Sequence, residues 1–511
     1  MFPHLPTDRI ARRRWGLSWR STGRPEHPPV ACVARHKSAM RLTALDEVAE
    51  SIGFKRGQGV AEARAMSPDL DVIAADEAAD LRFLEAIADW CDRYTPLVAL
   101  DQPDGLFLDI TGCAHLFGGE QALLDDILTR LFHMGLDVRG AIAPSPGLAW
   151  ACSRFGGPAV SFQGDEARIL APMPLACLRL TAELLLTLSK SGLKRVGDIL
   201  GAPRAPLARR FGPEPLLRLD QALGSAGESV SPRRPVAILS AERRLSEPVG
   251  EEDDLLHLAG QLAGSLTSGF EARGEGGLQF ELLLFRVDGR VFRILAGASL
   301  PTRDPARIGG LFKERFAALH ESYDAGYGFE MLRLNVLQAA PSLQHQPDFT
   351  GEEDEDGSFA AFVDRVSARL GPDCLRVPVT RESHWPERAS VLMPAGEAAD
   401  CLPAAGEPRP PPFRAERPLR IFRYPEPVEA MADVPEGPPV HFRWRRALHR
   451  VLRAEGPERL AAEWWIDGET HPTRDYFRIE DEAGRRFWLF REGLYEREAG
   501  VPRWFLHGVF A

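Results

Sequence analysis

The chain has 511 residues, of which 44% are hydrophobic and 26% are charged, and its formal net charge is −11 at pH 7. This length predicts several globular domains, while the lack of an apolar run of about 18 residues and of a secretory signal excludes a membrane protein and favours the cytoplasm. The seven scattered cysteines form no Cys-x-x-Cys pair, which argues against zinc fingers and disulfide frameworks, and the acidic balance excludes binding that depends mainly on nonspecific attraction to phosphate.

The first 165 residues are predicted to form an open α/β sheet with helices packed on it. Residues 8–77 have the pattern of small helices and loops, and a hairpin, a helix and a further strand follow them. Apolar residues at helical spacing mark the helices. The predicted helices are 42–53, 60–66, 78–94, 121–134 and 148–155, and the further strand is 138–143.

The stretch 96–119 predicts a β-hairpin, because two apolar runs flank the turn Asp-Gln-Pro-Asp-Gly at residues 101–105. Asp101, Asp104 and Asp109 would then lie near one strand edge. Acids gathered there can hold a divalent cation, as nucleotide transfer requires. The alternative is that Asp101 and Asp104 are ordinary turn formers and Asp109 is a solvated strand residue.

Residues 169–223 have purely helical spacing, with short helices predicted at 178–191, 196–200, 206–211 and 215–223. Turns that contain glycine join these helices. Five basic residues beside them are candidates for DNA binding: Lys190, Lys194, Arg195, Arg209 and Arg210. Helix-hairpin-helix modules hold a phosphate backbone with such side chains and with amide N–H groups. A plain helical spacer with a solvated basic face is the alternative.

Residues 235–337 predict a separate α+β domain. Its strands are expected at 278–286, 290–296 and 329–336, and its helices at 253–270 and 307–319. A polar breaker with an acidic run follows at 339–357. A helix at 359–370 precedes a strand-poor region and a Pro-rich spacer at 403–418.

The last segment, 419–511, contains five of the ten tryptophans. Alternating residues predict an antiparallel sheet with strands at 461–466, 475–480, 486–491 and 504–510. Its aromatic side chains either form the core or anchor a protein partner. Trp488 and Trp504 are the candidates for partner binding.

Three motifs carry a family resemblance: LDITGCAHLFGG at residues 108–119, FPHLPTDR at 2–9, and DYFR at 475–478 followed by RRFWLFREGLY at 485–495. With them the chain resembles the Y-family (DinB/UmuC-like) translesion DNA polymerases, and within these the ImuB branch. The resemblance covers nearly the whole chain. It implies a multidomain α/β protein with right-hand architecture: palm and fingers at 1–165 (fingers at about 10–77), a helical thumb at 166–234, an α+β little finger at 235–340, a loop, helix and Pro-rich linker at 341–418, and a C-terminal β-rich partner-binding domain at 419–511.

Carried over to this chain, the family's active site is degraded. Asp104 stands where the family has a metal-binding Asp, and Gly105 stands where it has the catalytic Glu. No acid stands on the opening strand, where the family has its first metal-binding Asp. The triphosphate-contacting Tyr and Arg fall on Glu47 and Glu50. The family's Asn-Lys-x-x-Ala-Lys motif falls on residues 145–150, where Pro146 and Trp150 replace the two lysines. Two-metal phosphoryl transfer needs bridging carboxylates and cations for the triphosphate, so little synthesis is expected.

The resemblance implies a polymerase-shaped scaffold for DNA-damage-induced mutagenic translesion synthesis, without a required cofactor. The implied partners are DNA, the sliding clamp, an ImuA-like RecA-related protein and an error-prone C-family DNA polymerase. Gln346, Asp348 and Phe349 form a degenerate clamp-binding peptide, or otherwise a polar loop. One alternative is an active Y-family polymerase that uses Mg²⁺ on Asp104 with Asp101 or Asp109; another is a plain DNA-structure binder.

Overall fold

The computed structural model describes residues 1–23, 25–319, 324–342, 355–396, 398, 417–433, 436–467, 472–494 and 503–510. The chain forms two compact units, Met1–Glu353 (unit 1) and Asp354–Ala511 (unit 2). The boundary between them falls inside the predicted 341–418 segment. The finer domain boundaries within unit 1 stay a prediction.

The first part of unit 1 combines helices with small sheets. Its helices are α1 (Leu5–Trp15), α2 (Glu47–Ile52), α3 (Val60–Met66), α4 (Glu77–Cys91), α5 (Glu120–His133) and α6 (Pro146–Phe155). Strands β1 (Val30–His36), β2 (Ala39–Leu45) and β3 (Asp71–Ala74) form a sheet in the order β2-β1-β3, and β4 (Val98–Asp101) pairs with β5 (Gly105–Leu108) as an antiparallel hairpin. The predicted hairpin and the helix at 60–66 are therefore confirmed.

Other predictions for this part were wrong. Residues 42–45 belong to β2 rather than to a helix; Leu42, Leu45 and Ala49 recur at helical spacing, but pairing of β2 with β1 overrides that pattern. In the predicted strand 138–143, Ile142 makes only an isolated bridge to Val160. The single open sheet is thus replaced by separate small sheets.

The rest of unit 1 follows the predicted order of helices and then α+β structure. The helices α7 (Glu166–Leu170), α8 (Ala182–Lys190), α9 (Gly197–Leu200), α10 (Arg204–Phe211) and α11 (Glu214–Ala222) come first. An antiparallel sheet in the order β6-β9-β7-β8 follows, built from β6 (Leu239–Val249), β7 (Glu275–Arg286), β8 (Val291–Thr302) and β9 (Phe329–Pro341). Helices α12 (Glu252–Arg273) and α13 (Pro305–Ala318) bury their apolar sides against this sheet. The sequence pattern missed β6 because most of its residues are exposed.

Unit 2 starts with α14 (Glu355–Leu370) and a hairpin of β10 (Arg376–Thr380) and β11 (Ser390–Pro394), in a region predicted to be poor in strands. A closed antiparallel barrel follows. Its strands are β12 (Arg420–Met431), β13 (His441–Trp444), β14 (Ala447–Leu460), β15 (Arg474–Asp481), β16 (Arg486–Glu492) and β17 (Arg503–Val509). The prediction of a strand at 461–466 was wrong, because the short helix α15 (Trp464–Asp467) begins within this segment. Most of the predicted Pro-rich spacer lies outside the described residues.

Among the helices that the structure describes, none has both the length and the apolar character needed to cross a bilayer.

The core of the four-stranded sheet provides a test of stability. Leu282 on β7 is fully buried between Ile294 and Leu334 on the neighbouring strands. Leu282→Ala should lower the free energy of unfolding by about 2–5 kcal/mol, because it removes apolar burial and leaves a cavity. Leu295→Ala is the matched control, since Leu295 is 41% exposed, and it should change that free energy by about 0.5 kcal/mol or less. Urea unfolding followed by circular dichroism measures both, and equal effects would contradict this packing.

Candidate functional site

Helix α6 brings two side chains to the central hairpin. The helix begins at a capping residue, Ser145, whose hydroxyl accepts from the Leu148 N–H at 3.2 Å and donates to the Ala222 carbonyl at 2.8 Å. Trp150 and Arg154 are four residues apart, so they project from the same face of α6. Both reach the acids of the turn between β4 and β5.

These side chains form what we call the Arg154 cluster: Asp101, Asp104, Trp150 and Arg154. Arg154 Nη2 donates to Asp101 Oδ2 at 3.0 Å and to Asp104 Oδ1 at 2.8 Å. Trp150 Nε1 also donates to Asp101 Oδ2, at 2.8 Å. The Arg154, Asp101 and Asp104 side chains are only 13%, 23% and 15% exposed. One guanidinium thus bonds to both acids of the hairpin away from bulk water.

The surroundings of Arg154 favour its charged form. Burial acts against the charged form, but hydrogen bonds and the charges of Asp104 and Asp101 outweigh it and raise the arginine pKa above its ordinary value. A permanent cation therefore lies where carboxylates would have to hold a metal ion. This donor set does not fit a pair of Mg²⁺ ions, which needs carboxylates available to bridge both of them.

Gly105, where the resemblance places the catalytic Glu, has no room for a side chain. A Cβ atom at this position would lie 2.7 Å from Asp101 Oδ2, 2.9 Å from Arg154 Nη2 and 3.1 Å from the Asp101 carbonyl oxygen. Contacts this short require the neighbours to move. The bonded Arg154 cluster and a glutamate at position 105 thus exclude one another.

The third predicted acid, Asp109, is not part of this cluster. It is exposed, and its Oδ1 accepts from the Thr111 N–H at 3.0 Å. That bond caps the turn after β5. Of the three acids the structure therefore brings Asp101 and Asp104 together, and Arg154, which the sequence analysis did not single out, joins them.

The acids at the predicted triphosphate positions lie in the first turn of α2. Glu47 Oε1 accepts from Arg20 Nη1 at 2.6 Å. Glu50 is 46% exposed, and its Oε2 lies 3.9 Å from His4 Nε2. Carboxylates stand here in place of the cations that a triphosphate needs.

The five predicted DNA-binding residues are all exposed: Lys190, Lys194, Arg195, Arg209 and Arg210. The backbone N–H groups of Lys194 and Arg195 both donate to Asp198 Oδ2, at 2.8 Å each. These amides are therefore already satisfied, and the side chains are the groups that can meet a phosphate. DNA binding by these residues stays a prediction.

The prediction that Trp488 contacts a partner was wrong. Trp488 is only 3% exposed, and its ring stacks on those of Tyr476 and His507 at centroid distances of 4.2 and 5.3 Å. Trp504 is partly buried and packs 5.6 Å from Phe477, so its partner role stays a prediction.

Two neighbouring tryptophans lie on the surface instead. Trp464 and Trp465 in α15 are 71% and 57% exposed. The sequence predicted a strand for these residues and left open whether its aromatic side chains form the core or anchor a partner. The adjacent pair of tryptophans was the available signal of an exposed site. The predicted clamp-binding residues Gln346, Asp348 and Phe349 lie outside the described residues.

Comparisons with known proteins bear on the chain as a whole. Residues 18–154 match the model of the impB/mucB/samB family. The chain is 41% identical to Protein ImuB of Caulobacter vibrioides (strain NA1000 / CB15N) over 469 residues, covering 90% of this chain and 100% of that protein. It is 27% identical to DNA polymerase IV of C. vibrioides (strain ATCC 19089 / CIP 103742 / CB 15) over 223 residues, which are 42% of this chain and 55% of that polymerase. DinB from Sulfolobus solfataricus is a similar solved structure, with 13% identity, a TM-score of 0.37 and coverage of 66% of this chain and 98% of that one.

The tight packing around Gly105 can be tested by adding one methyl group. Gly105→Ala should lower the free energy of unfolding by about 1–3 kcal/mol, because the new Cβ overpacks the Arg154 cluster. Gly227→Ala is the control, since a Cβ there meets nothing within 4 Å. Guanidinium unfolding of both variants measures the difference. A Gly105→Ala variant as stable as Gly227→Ala would contradict the close approach of Arg154 and Asp101.

Proposed function

Because the chain belongs to the ImuB family, a branch of the Y-family polymerase homologues, we propose that it serves mutagenic translesion synthesis as a scaffold that does not extend DNA itself. The family membership supports a role related to translesion synthesis. The finer proposal of a scaffold that lacks catalysis and needs no cofactor rests on the site. The proposed place of action, the DNA-damage (SOS) response in the cytoplasm, rests on the family relationship.

The observation that carries this proposal is the pair of hydrogen bonds from Arg154 to Asp101 and Asp104. Metal ions in phosphoryl transfer need free carboxylate oxygens, and a neighbouring guanidinium both takes these oxygens and repels a second cation. Glu50 and Trp150 replace groups that the resemblance assigns to the incoming nucleotide. Loss of one catalytic electrostatic contact typically costs on the order of 10²–10³ in rate, so several losses together leave little synthesis.

The active-polymerase alternative loses support from the same geometry. It requires Asp101 or Asp109 as an additional metal ligand beside Asp104. Asp101 Oδ2 already accepts from Trp150 and Arg154, and Asp109 caps a turn.

We assign the right-hand architecture to unit 1 on the family relationship and on the order of its elements. Palm and fingers take residues 1–165, the thumb takes the helices α7 to α11 within 166–234, and the little finger takes the α12–α13 and four-stranded sheet region within 235–340. In this arrangement the exposed basic residues from Lys190 to Arg210 grip the DNA backbone.

We assign partner binding to the remainder of the chain. The proposed partners are the sliding clamp through residues 346–349, and an ImuA-like RecA-related protein and an error-prone C-family DNA polymerase through unit 2. The family relationship supports these partners. The buried position of Trp488 removes it from the contact surface, which leaves Trp504 among the predicted anchors.

A primer-extension assay tests the absence of synthesis. The full chain should add no nucleotide to a primer–template with Mg²⁺ or Mn²⁺, because Arg154 holds both acids of the hairpin. Arg154→Ala should not create activity, since Gly105 and Glu50 still lack the required groups. A DNA polymerase IV in the same assay is the positive control. Incorporation by the wild-type chain that Asp104→Ala abolishes would defeat the scaffold proposal.

Binding to primer–template DNA tests the basic thumb residues. The double variant Lys194→Ala with Arg195→Ala should bind more weakly, and the slope of log affinity against log salt should become shallower by about 2, since each lost phosphate contact contributes about 0.9. Fluorescence anisotropy gives both the affinity and the slope. It should be measured between roughly 50 and 200 mM salt, a range over which binding through phosphate contacts weakens strongly. Arg168→Ala is the control, because Arg168 is paired with Asp165 at 2.9 Å. This substitution should leave the slope unchanged. Equal slopes for the wild-type chain and the double variant would contradict the proposed grip.

A further inference from the structure

A second group of charged side chains lies in unit 1, and we call it the His4 cluster: His4, Glu47, Glu50 and Asp137. His4 directly precedes α1, the two glutamates lie in the first turn of α2, and Asp137 follows α5. His4 is only 2% exposed. One potential ligand atom each from His4, Glu47 and Asp137 lies within 4.8 Å of the others.

The imidazole of His4 is fixed by the main chain. Its Nδ1 atom lies 2.8 Å from the Leu45 carbonyl oxygen. Because a carbonyl only accepts hydrogen bonds, Nδ1 must carry a proton. The other nitrogen, Nε2, lies 3.4 Å from Asp137 Oδ2 and 3.9 Å from Glu50 Oε2. A bare lone pair that faces these carboxylates is unfavourable, and a cation bound between them would remove that repulsion.

One pair of potential ligands already has the spacing of a metal site, while the other carboxylate oxygens, within 4.8 Å, would move closer to a bound ion. Ligands about 2.0–2.2 Å from a tetrahedral Zn²⁺ lie roughly 3.3–3.6 Å apart, and the Nε2 to Asp137 Oδ2 distance of 3.4 Å falls in this range. The Nδ1–H bond to a backbone carbonyl is the support that metal-ligating histidines usually have. Imidazole together with carboxylates favours Zn²⁺ and related first-row divalent ions over Mg²⁺ or Ca²⁺, which prefer oxygen alone.

The surrounding charges also favour a cation. Asp8 lies beside the cluster, since its Oδ2 accepts from the Asp137 N–H at 2.8 Å. Arg20 bonds to this group, to Glu47 Oε1 and to Asp8 Oδ1 at 2.6 Å each. Carboxylates from three parts of the chain thus converge beside His4, and such a group attracts a cation.

The geometry points to a binding site for one divalent first-row transition-metal ion, with His4, Asp137 and Glu47 as ligands and Glu50 as a fourth. The site is separate from the acids of the Arg154 cluster and goes beyond the proposed function. A bound ion would connect the start of α1, the start of α2 and the segment after α5. Because these ligands come from three distant parts of the chain, the ion should stabilise the folded state.

Zn²⁺ binding by the full chain tests the site. After removal of metals with a chelator, isothermal titration with Zn²⁺ should show one site per chain, and the same ion should raise the melting temperature. His4→Asn keeps a donor for the Leu45 carbonyl but loses Nε2, and Asp137→Asn removes a carboxylate; each should weaken binding by tenfold or more. Glu62→Gln is the matched control, because Glu62 is an exposed glutamate in the first turn of α3.

Cobalt substitution distinguishes this site from cysteine sites. Co²⁺ should give a visible spectrum without the intense near-ultraviolet thiolate band, since the ligands are nitrogen and oxygen. If His4→Asn fails to fold, Asp137→Asn and Glu50→Gln decide, because Asp137 and Glu50 are partly exposed, at 24% and 46%. Absence of a one-to-one Zn²⁺ site, unchanged affinity in the folded variants, or a thiolate band would overturn the proposal and leave His4 as a buried side chain held by the Leu45 carbonyl.

Discussion

One guanidinium that bonds to two carboxylates is the constraint on which the centre of unit 1 depends. Arg154 joins α6 to the hairpin through Asp101 and Asp104, and it has space only because residue 105 lacks a side chain. Without this cation, two partly buried acids would face one another and repel. The two acids of the hairpin thus stabilise the contact between the hairpin and α6. The presence of acidic residues at these positions therefore does not by itself imply that they hold a metal.

The two acidic clusters in unit 1 differ in the groups that face their carboxylates. In the Arg154 cluster one guanidinium bonds to both acids. In the His4 cluster Arg20 bonds to Glu47 and Asp8, and the buried imidazole of His4 lies beside Asp137 and Glu50. A triphosphate is strongly anionic, so carboxylates beside it are unfavourable unless cations offset their charge. The proposed lack of DNA synthesis and the proposed metal site in the His4 cluster both rest on this sign of charge.

The sequence predicted those parts of the fold whose local pattern and tertiary context agree. The turn at 101–105, α3 and the strands β15 and β16 are examples, because turn residues or strict periodicity mark each of them. It failed where pairing overrides local spacing, as at Leu42 in β2, and where a strand is mostly exposed, as in β6. Arg154 was missed because its bond to Asp104 joins residues 50 positions apart, which no local pattern reveals. The burial of Trp488 was likewise not predictable, because it depends on which face of the closed sheet the side chain occupies.

The barrel of unit 2 closes because β12 pairs with both β13 and β17. Its described strands therefore present no open row of backbone donors and acceptors to a neighbouring molecule. Recognition by strand addition, in which a peptide extends a sheet, is not available on the barrel itself. A molecule that docks on the barrel must contact side chains and connecting loops, and the same closure protects the barrel from the edge-to-edge aggregation to which open sheets are prone.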